Sequence, residues 1–132
     1  VNLFNEKNNG ETVLKLNAEG LINSLHDVSL GGIITAVSKM AIKGKKGFKL
    51  NKPKVLINKF DYYFGEDQGR YIIEIEPKNL SKVQKILKDN SVHYDEIGLV
   101  TEKDVIIDKE PIIHIDDLIK SNKYWLEDYM DK

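Results

Sequence analysis

The sequence has no cysteine and one arginine, Arg70. Without cysteine, disulfides and thiolate chemistry are excluded, and a structural zinc site loses its usual ligands. That composition fits a reducing compartment, and a cytoplasmic protein is expected. The sequence also lacks the run of about 18 apolar residues that a membrane helix requires. Its first residues, VNLFNEKNNG, lack the basic start and apolar stretch of a secretory leader, so none is expected. There is no internal repeat and no low-complexity tract. Net charge is −1, which gives no general attraction for nucleic acid.

What remains is an ordinary globular composition, 41% apolar and 31% charged, over 132 residues. That length suits one domain with one core. The positive charge is almost all lysine, so the lone Arg70 stands out. A guanidinium grips a carboxylate or phosphate as a fork, which lysine cannot copy.

The coarse pattern is mixed. Residues 1–10 are rich in asparagine and read as a loosely packed start. Residues 11–19 read as a short helix with Val13, Leu14 and Leu16 near one face and Gly20 as its C-terminal stop. Leu21 to Leu25 read as a strand. Ile33, Ile34, Val37, Met40 and Ala41 follow the spacing of a buried helix face ending near Gly44. The lysine-rich stretch 39–54 reads as a solvated loop, with a phosphate-attracting patch as the alternative.

Tyr71 to Glu76 alternate as a strand, and Asn79 opens a helix to residue 90 with Leu80, Val83, Ile86 and Leu87 inward. A strand over 94–101 would complete a right-handed βαβ unit. Residues 104–108 and 111–115 are two further short apolar runs, split near Pro111. The C-terminal helices would pack Leu118, Ile119, Trp125, Leu126 and Met130 onto the sheet, with Tyr124 and Tyr129 also in the core. The expected class is α+β: a mixed, mostly antiparallel sheet against helices, with residues 1–19 as an N-terminal segment and 20–132 as the domain proper.

Two segments carry chemistry. His26, Asp27, Val28, Ser29, Leu30, Gly31 and Gly32 lie between a strand and the strongest helix. Amides opening a helix lack intrahelical partners and face the positive end of its dipole, so Gly31 and Gly32 would admit an anion such as phosphate. Ser29 would cap the helix or donate to a ligand oxygen. Asp27 would accept from a hydroxyl or amide, or assist a metal. The plainer reading is a capped helix start with a tight turn. The second segment is Phe64, Gly65, Glu66, Asp67, Gln68, Gly69 and Arg70. It offers acceptors, an amide and a guanidinium, suited to polar groups and an anion. Its plainer reading is an acidic turn with an internal Glu–Arg pair.

Of the histidines, only His26 is a binding candidate; His93 and His114 read as surface or core-edge residues. Metal-ligand spacing, a nucleophile–base pair and a P-loop are missing, so no catalytic or metal residue is assigned.

Taken together, the motifs resemble phosphoribosylformylglycinamidine synthase subunit II. LINSLHDVSLGGIITAVSKMAI is similar to that family's S-A-H-D-V-S-D-G-G-L segment, and YYFGEDQGRYIIEI to its L-F-G-E-D-Q-G-R-Y. IGLVTEKDVIID resembles its I-G-x-V-T-G hairpin, and KYWLEDYM its terminal W-L-P-x-Y-M. VNLFNE faintly resembles V-S-L-Y-N-E, which lies far upstream in the family and would imply a lost intervening region. Leu30, Glu102, Lys123, Tyr124 and Glu127 depart from the pattern.

The resemblance implies the C-terminal α+β domain of the aminoimidazole ribonucleotide synthetase superfamily. The full enzyme is an ATP-dependent ligase of purine biosynthesis. It converts formylglycinamide ribonucleotide and glutamine-derived ammonia to formylglycinamidine ribonucleotide, with magnesium serving the ATP. From the chemistry of the two segments, His26, Asp27, Ser29, Gly31, Gly32, Glu66, Gln68, Gly69 and Arg70 are expected, as hypotheses, to face substrate or its phosphate. This chain alone is expected to be inactive and to hold neither ATP nor magnesium. Its expected partners are the ribonucleotide, the missing N-terminal domains or a complementing subunit, and a second copy; membrane and nucleic acid are not expected. The competing readings are an interaction or dimerisation module that keeps the fold, and another enzyme of the superfamily.

Overall fold

The computed structural model describes residues 2–52 and 58–131. Its element order is α1 (Leu3–Ala18), β1 (Ser24–Asp27), α2 (Gly32–Gly44), β2 (Gly47–Leu50), α3 (Lys59–Phe64), β3 (Tyr71–Glu74), α4 (Leu80–Asp89), β4 (Gly98–Thr101), β5 (Asp104–Ile107), β6 (Ile113–His114), α5 (Ile115–Lys123) and α6 (Trp125–Met130). The mixture is α+β, as the sequence implies. The chain divides into two compact units, Val1–Val37 with Phe60–Glu96, and Ser38–Lys59 with Ile97–Lys132.

The first unit is built on a two-stranded antiparallel sheet, β1 against β3, with Asp27 opposite Tyr71 and Ser24 opposite Glu74. A sheet of two strands is marginal by itself. Its support is an apolar cluster of Leu16, Leu21, Val83 and Leu87, against which Ile73, Ile75 and Ile86 pack. Leu16 is fully buried. Removing its side chain would cost about 2–5 kcal/mol.

Helix α1 differs from the expectation at its start. Residues 3–10 are helical rather than loose, because the asparagines have specific partners. The Asn2 side chain caps the helix by accepting from the Asn5 N–H at 3.1 Å. Asn8 donates to the Asn90 carbonyl at 2.7 Å, and Asn9 to the Gly69 carbonyl at 3.0 Å. Val13 and Leu16 are buried, whereas Leu14 is 68% exposed because it sits about 100° further round the helix. The helix ends as expected at Gly20, with φ +66°. Leu21 N–H returns to the Leu16 carbonyl and Gly20 N–H to that of Asn17, the double bond of a Schellman stop. Helix α4 buries Val83 and Leu87, but Asn79 closes a 3-10 turn and makes no side-chain cap.

In the second unit β4, β2, β5 and β6 form one sheet in that order. β2 runs antiparallel to β4 and parallel to β5, and β6 is antiparallel to β5. Phe48, Leu50, Val105 and Ile115 are buried. The expected βαβ crossover is absent: β3 pairs with β1, while β4 belongs to the other sheet. Alternation identifies a strand but not its partner. The lysine-rich stretch is also not a loop over most of its length. It ends α2 and then forms β2, where Lys49 points out between buried Phe48 and Leu50; residues 53 and 54 lie outside the described set. Lys46 and Lys52 pair with Glu102 and Asp108.

Tyr124, Trp125, Leu126, Tyr129 and Met130 are 47–73% exposed rather than packed. Leu118 and Ile119 are partly buried.

Candidate functional site

Antiparallel pairing fixes the geometry. β1 ends where β3 begins, so the segment leaving β1 and the segment entering β3 emerge at the same end of the sheet. The ladder continues one step beyond, from the Val28 N–H to the Arg70 carbonyl at 2.9 Å. The two sequence-predicted segments are thereby neighbours. Between them lies an open cleft of about 360 Å³, lined by Asp27, Ser29, Leu30, Glu66, Gln68 and Arg70 among others.

The turn at Gly31–Gly32 needs glycine. Both have positive φ, +79° and +68°. A Cβ on Gly32 would sit 2.6 Å from the Tyr63 carbonyl oxygen and 2.8 Å from that of Gly65. The second residue of the pair therefore lets the GEDQGR loop lie directly against the start of α2.

The amides are not free. Gly31 N–H donates to Glu66 Oε1 at 2.8 Å, and Gly32 N–H to the Ser29 carbonyl at 3.0 Å. The negative group at the opening of α2 is thus a carboxylate of the chain itself. Ser29 contributes its carbonyl to the turn, and its side chain is exposed beside the cleft. His26 turns toward its neighbour, with Nδ1 2.6 Å from the Asp27 carbonyl oxygen and 3.4 Å from Oδ1, and does not line the cleft.

Arg70 braces its own loop. Nη2 donates to the Gly65 carbonyl at 2.7 Å and Nε to that of Asp67 at 3.1 Å, with the Asp67 carboxylate 3.6 Å away. The internal partner is therefore Asp67, not Glu66. Gln68 keeps a side chain without a hydrogen-bond partner among the described residues. Tyr62, nearby in α3, has its hydroxyl pKa pushed up by burial, then by Asp95 and Tyr63, against a smaller lowering by Arg70.

Sequence reasoning missed the contribution of α1. Gly69, at φ +72°, lies so close to Glu6 that a Cβ would meet its Cγ at 2.6 Å. Asn2, Asn5, Glu6 and Asn9 line a second hollow with the GEDQGR loop. Their spacing of three, one and three is a polar helix face, a signal present in the sequence but hidden by reading asparagine as loop-forming. Among the described residues, no group of three or more His, Asp or Glu side chains could hold a metal ion. The described residues therefore offer no all-protein cation site of their own.

The family model for the AIR synthase related protein, C-terminal domain, matches residues 1–109. The chain belongs to that family. The match takes in α1 as well as the two loops. Among curated proteins, the chain is 63% identical over 131 residues to phosphoribosylformylglycinamidine synthase subunit PurL of Pelagibacter ubique, covering 99% of this chain and 18% of that protein. It is 35% identical over 130 residues to PurL of Nitrobacter hamburgensis, covering 98% and 18%. An aligned stretch of this size leaves no lost region between α1 and the HDVS segment, contrary to the resemblance of VNLFNE to an upstream motif. The chain spans less than a fifth of the length of these relatives.

The fold of this AIR synthase related domain is also that of part of Thermotoga maritima PurL. The structure complexed with FGAR aligns at TM-score 0.73 and 21% identity, over 86% of this chain and 21% of that one. The structure complexed with ATP aligns at 0.71 with the same identity and coverage, and that of PurLQS at 0.72.

Proposed function

We propose that this segment is the substrate-side C-terminal domain of a phosphoribosylformylglycinamidine synthase and does not catalyse alone. The observation that carries the reading is the single cleft shared by the HDVSLGG and GEDQGR loops, held together by the β1–β3 register and by Glu66 on Gly31. Asp27, Ser29, Gln68 and Arg70 offer acceptors, donors and a cation to a polar ribonucleotide. An arriving phosphate would compete with Glu66 for the Gly31 N–H. Gly32 and Gly69 serve by shaping the backbone, and His26 by contact with Asp27. ATP with its magnesium, and the source of ammonia, belong to the rest of such an enzyme, which works in the cytoplasm. Thermotoga maritima PurL has been solved with FGAR and with ATP, which supports a ribonucleotide and ATP as ligands of the longer protein.

The test is a titration of the chain with formylglycinamide ribonucleotide followed by amide NMR shifts. Movement of residues 27–32 and 66–70 is expected. A flat response at millimolar ligand would remove substrate binding from this segment.

A second reading, an interaction or dimerisation module, is favoured by one observation. Trp125, Leu126, Tyr129 and Met130 present an uncovered apolar surface, which commonly marks a contact. Solution mass separates the readings.

A further inference from the structure

The GEDQGR loop has two sides. One lines the cleft described above. The other, with the opening turns of α1, lines a separate hollow of about 560 Å³. Glu66, Gln68, Gly69 and Arg70 take part in both.

The chemistry of the second hollow differs from that of an anion site. Three acidic residues, Glu6, Glu66 and Asp67, are among its lining, against the one guanidinium of Arg70. Arg70 already donates to the Gly65 and Asp67 carbonyls. A phosphate or carboxylate ligand would meet net repulsion there. No aromatic side chain lines the hollow among the described residues, so a nucleobase would find no stacking face.

What the hollow does offer is donors and acceptors side by side. The side chains of Asn5, Glu6 and Gln68 have no hydrogen-bond partners among the described residues. Asn2 and Asn9 each spend one group on structure, Asn2 its oxygen on the Asn5 N–H and Asn9 its amide on the Gly69 carbonyl. Each therefore keeps its other group for a ligand. A hydroxyl both donates and accepts, so neighbouring hydroxyls match alternating carboxamides and carboxylates.

We propose that the α1 face formed by Asn5, Glu6 and Asn9, together with Gln68, is a subsite for the vicinal hydroxyls of a sugar. The inference rests on the preceding reading only in taking the GEDQGR loop as ligand-facing. A ribonucleotide would then place its ribose against α1 and its anionic end across the loop, toward Ser29 and Gly31.

The probes are D-ribose, inorganic phosphate and ammonium chloride, each titrated into the whole 132-residue chain at matched high concentration. The readout is the side-chain amide resonances of Asn5, Asn9 and Gln68. Ribose is expected to move them, and phosphate to leave them in place. Asn5→Ala should weaken the ribose response about five-fold, the loss of one or two neutral hydrogen bonds. Alanine keeps the backbone N–H that Asn2 accepts, so the helix start is preserved. Glu6→Gln, which retains an acceptor, should weaken it less. The subsite is overturned if ribose leaves these resonances unmoved, if ammonium moves them equally, or if Asn5→Ala changes nothing. The ribonucleotide titration at residues 27–32 reports separately on the cleft, so each idea has its own failure.

Discussion

The Gly31 N–H donates to the Glu66 carboxylate over 2.8 Å, joining residues 35 positions apart. This contact ties the opening of α2 to the loop before β3. Glu66→Ala would leave an exposed amide to water and lose a charge-assisted bond, at about 1 kcal/mol. Glu66→Gln keeps the acceptor and should recover about half. Urea denaturation of both variants checks the order; equal losses would show that charge, not the hydrogen bond, is what matters.

Gly32 and Gly20 separate backbone conformation from space. Both have positive φ, +68° at Gly32 and +66° at Gly20. An added Cβ meets nothing within 4 Å at Gly20, but meets the backbone of residues 63–65 at Gly32. Gly20→Ala should therefore destabilise by about 1 kcal/mol, the strain of a left-handed residue. Gly32→Ala should destabilise by about 3 kcal/mol or more, because loop and helix must part. Comparable midpoints for the two variants in thermal or urea unfolding would contradict the packing of the GEDQGR loop on α2.

What the sequence disclosed follows from range. Helix α2 was legible because its apolar spacing is local, and Gly20 because a positive φ at a helix stop has a residue signature. Both loops stood out as polar segments from their own composition. Their adjacency was not, since it depends on Asp27 facing Tyr71 across β1 and β3. The same limit explains the failed crossover through β3, α4 and β4. The internal use of Gly31 N–H by Glu66 was likewise invisible, because a free helix amide and a capped one have the same local sequence. Asparagines 2, 8 and 9 misled in the other direction: each has a fixed partner, and only the folded contacts supply it.

Arg70→Lys should act first on the loop. Two carbonyls accept from one guanidinium, and an ammonium on a flexible stem cannot hold both in the same geometry. The expected result is faster amide exchange over residues 66–69 with a global loss of about 1 kcal/mol. Ribonucleotide affinity should fall as well. Unchanged exchange with weakened binding would assign Arg70 to the ligand rather than to the loop.

Glu102 gives a pH dependence in the other unit. Its pKa is held below the ordinary 4.5 by the hydrogen bond from Lys46, then by the charges of Lys46 and Lys103. A depressed folded-state pKa means the contribution is present above the unfolded value and is lost as pH falls through the folded one. Glu102 is fully exposed, so the effect is small and sensitive to salt. Wild type and Glu102→Gln should differ in melting temperature near neutrality and converge below the ordinary carboxylate range. A difference that persists in strong acid would mean the glutamine acts by another route.

Helix α6 places Trp125, Leu126, Tyr129 and Met130 at i, i+1, i+4 and i+5, which is one face, and all four are more than half exposed. Water against that much apolar surface is unfavourable, so contact with another surface would lower the free energy. Substituting Trp125 and Tyr129 by serine removes the largest part of the face without opening a cavity, because neither ring is buried. The double variant should therefore keep its unfolding free energy within about 0.5 kcal/mol. Sedimentation equilibrium of the unsubstituted chain should show concentration-dependent association, and the variant should be closer to monomeric. Association that survives the substitution would move the contact elsewhere. A marked loss of stability would mean that the rings pack within their own unit, and the face would not be a docking surface.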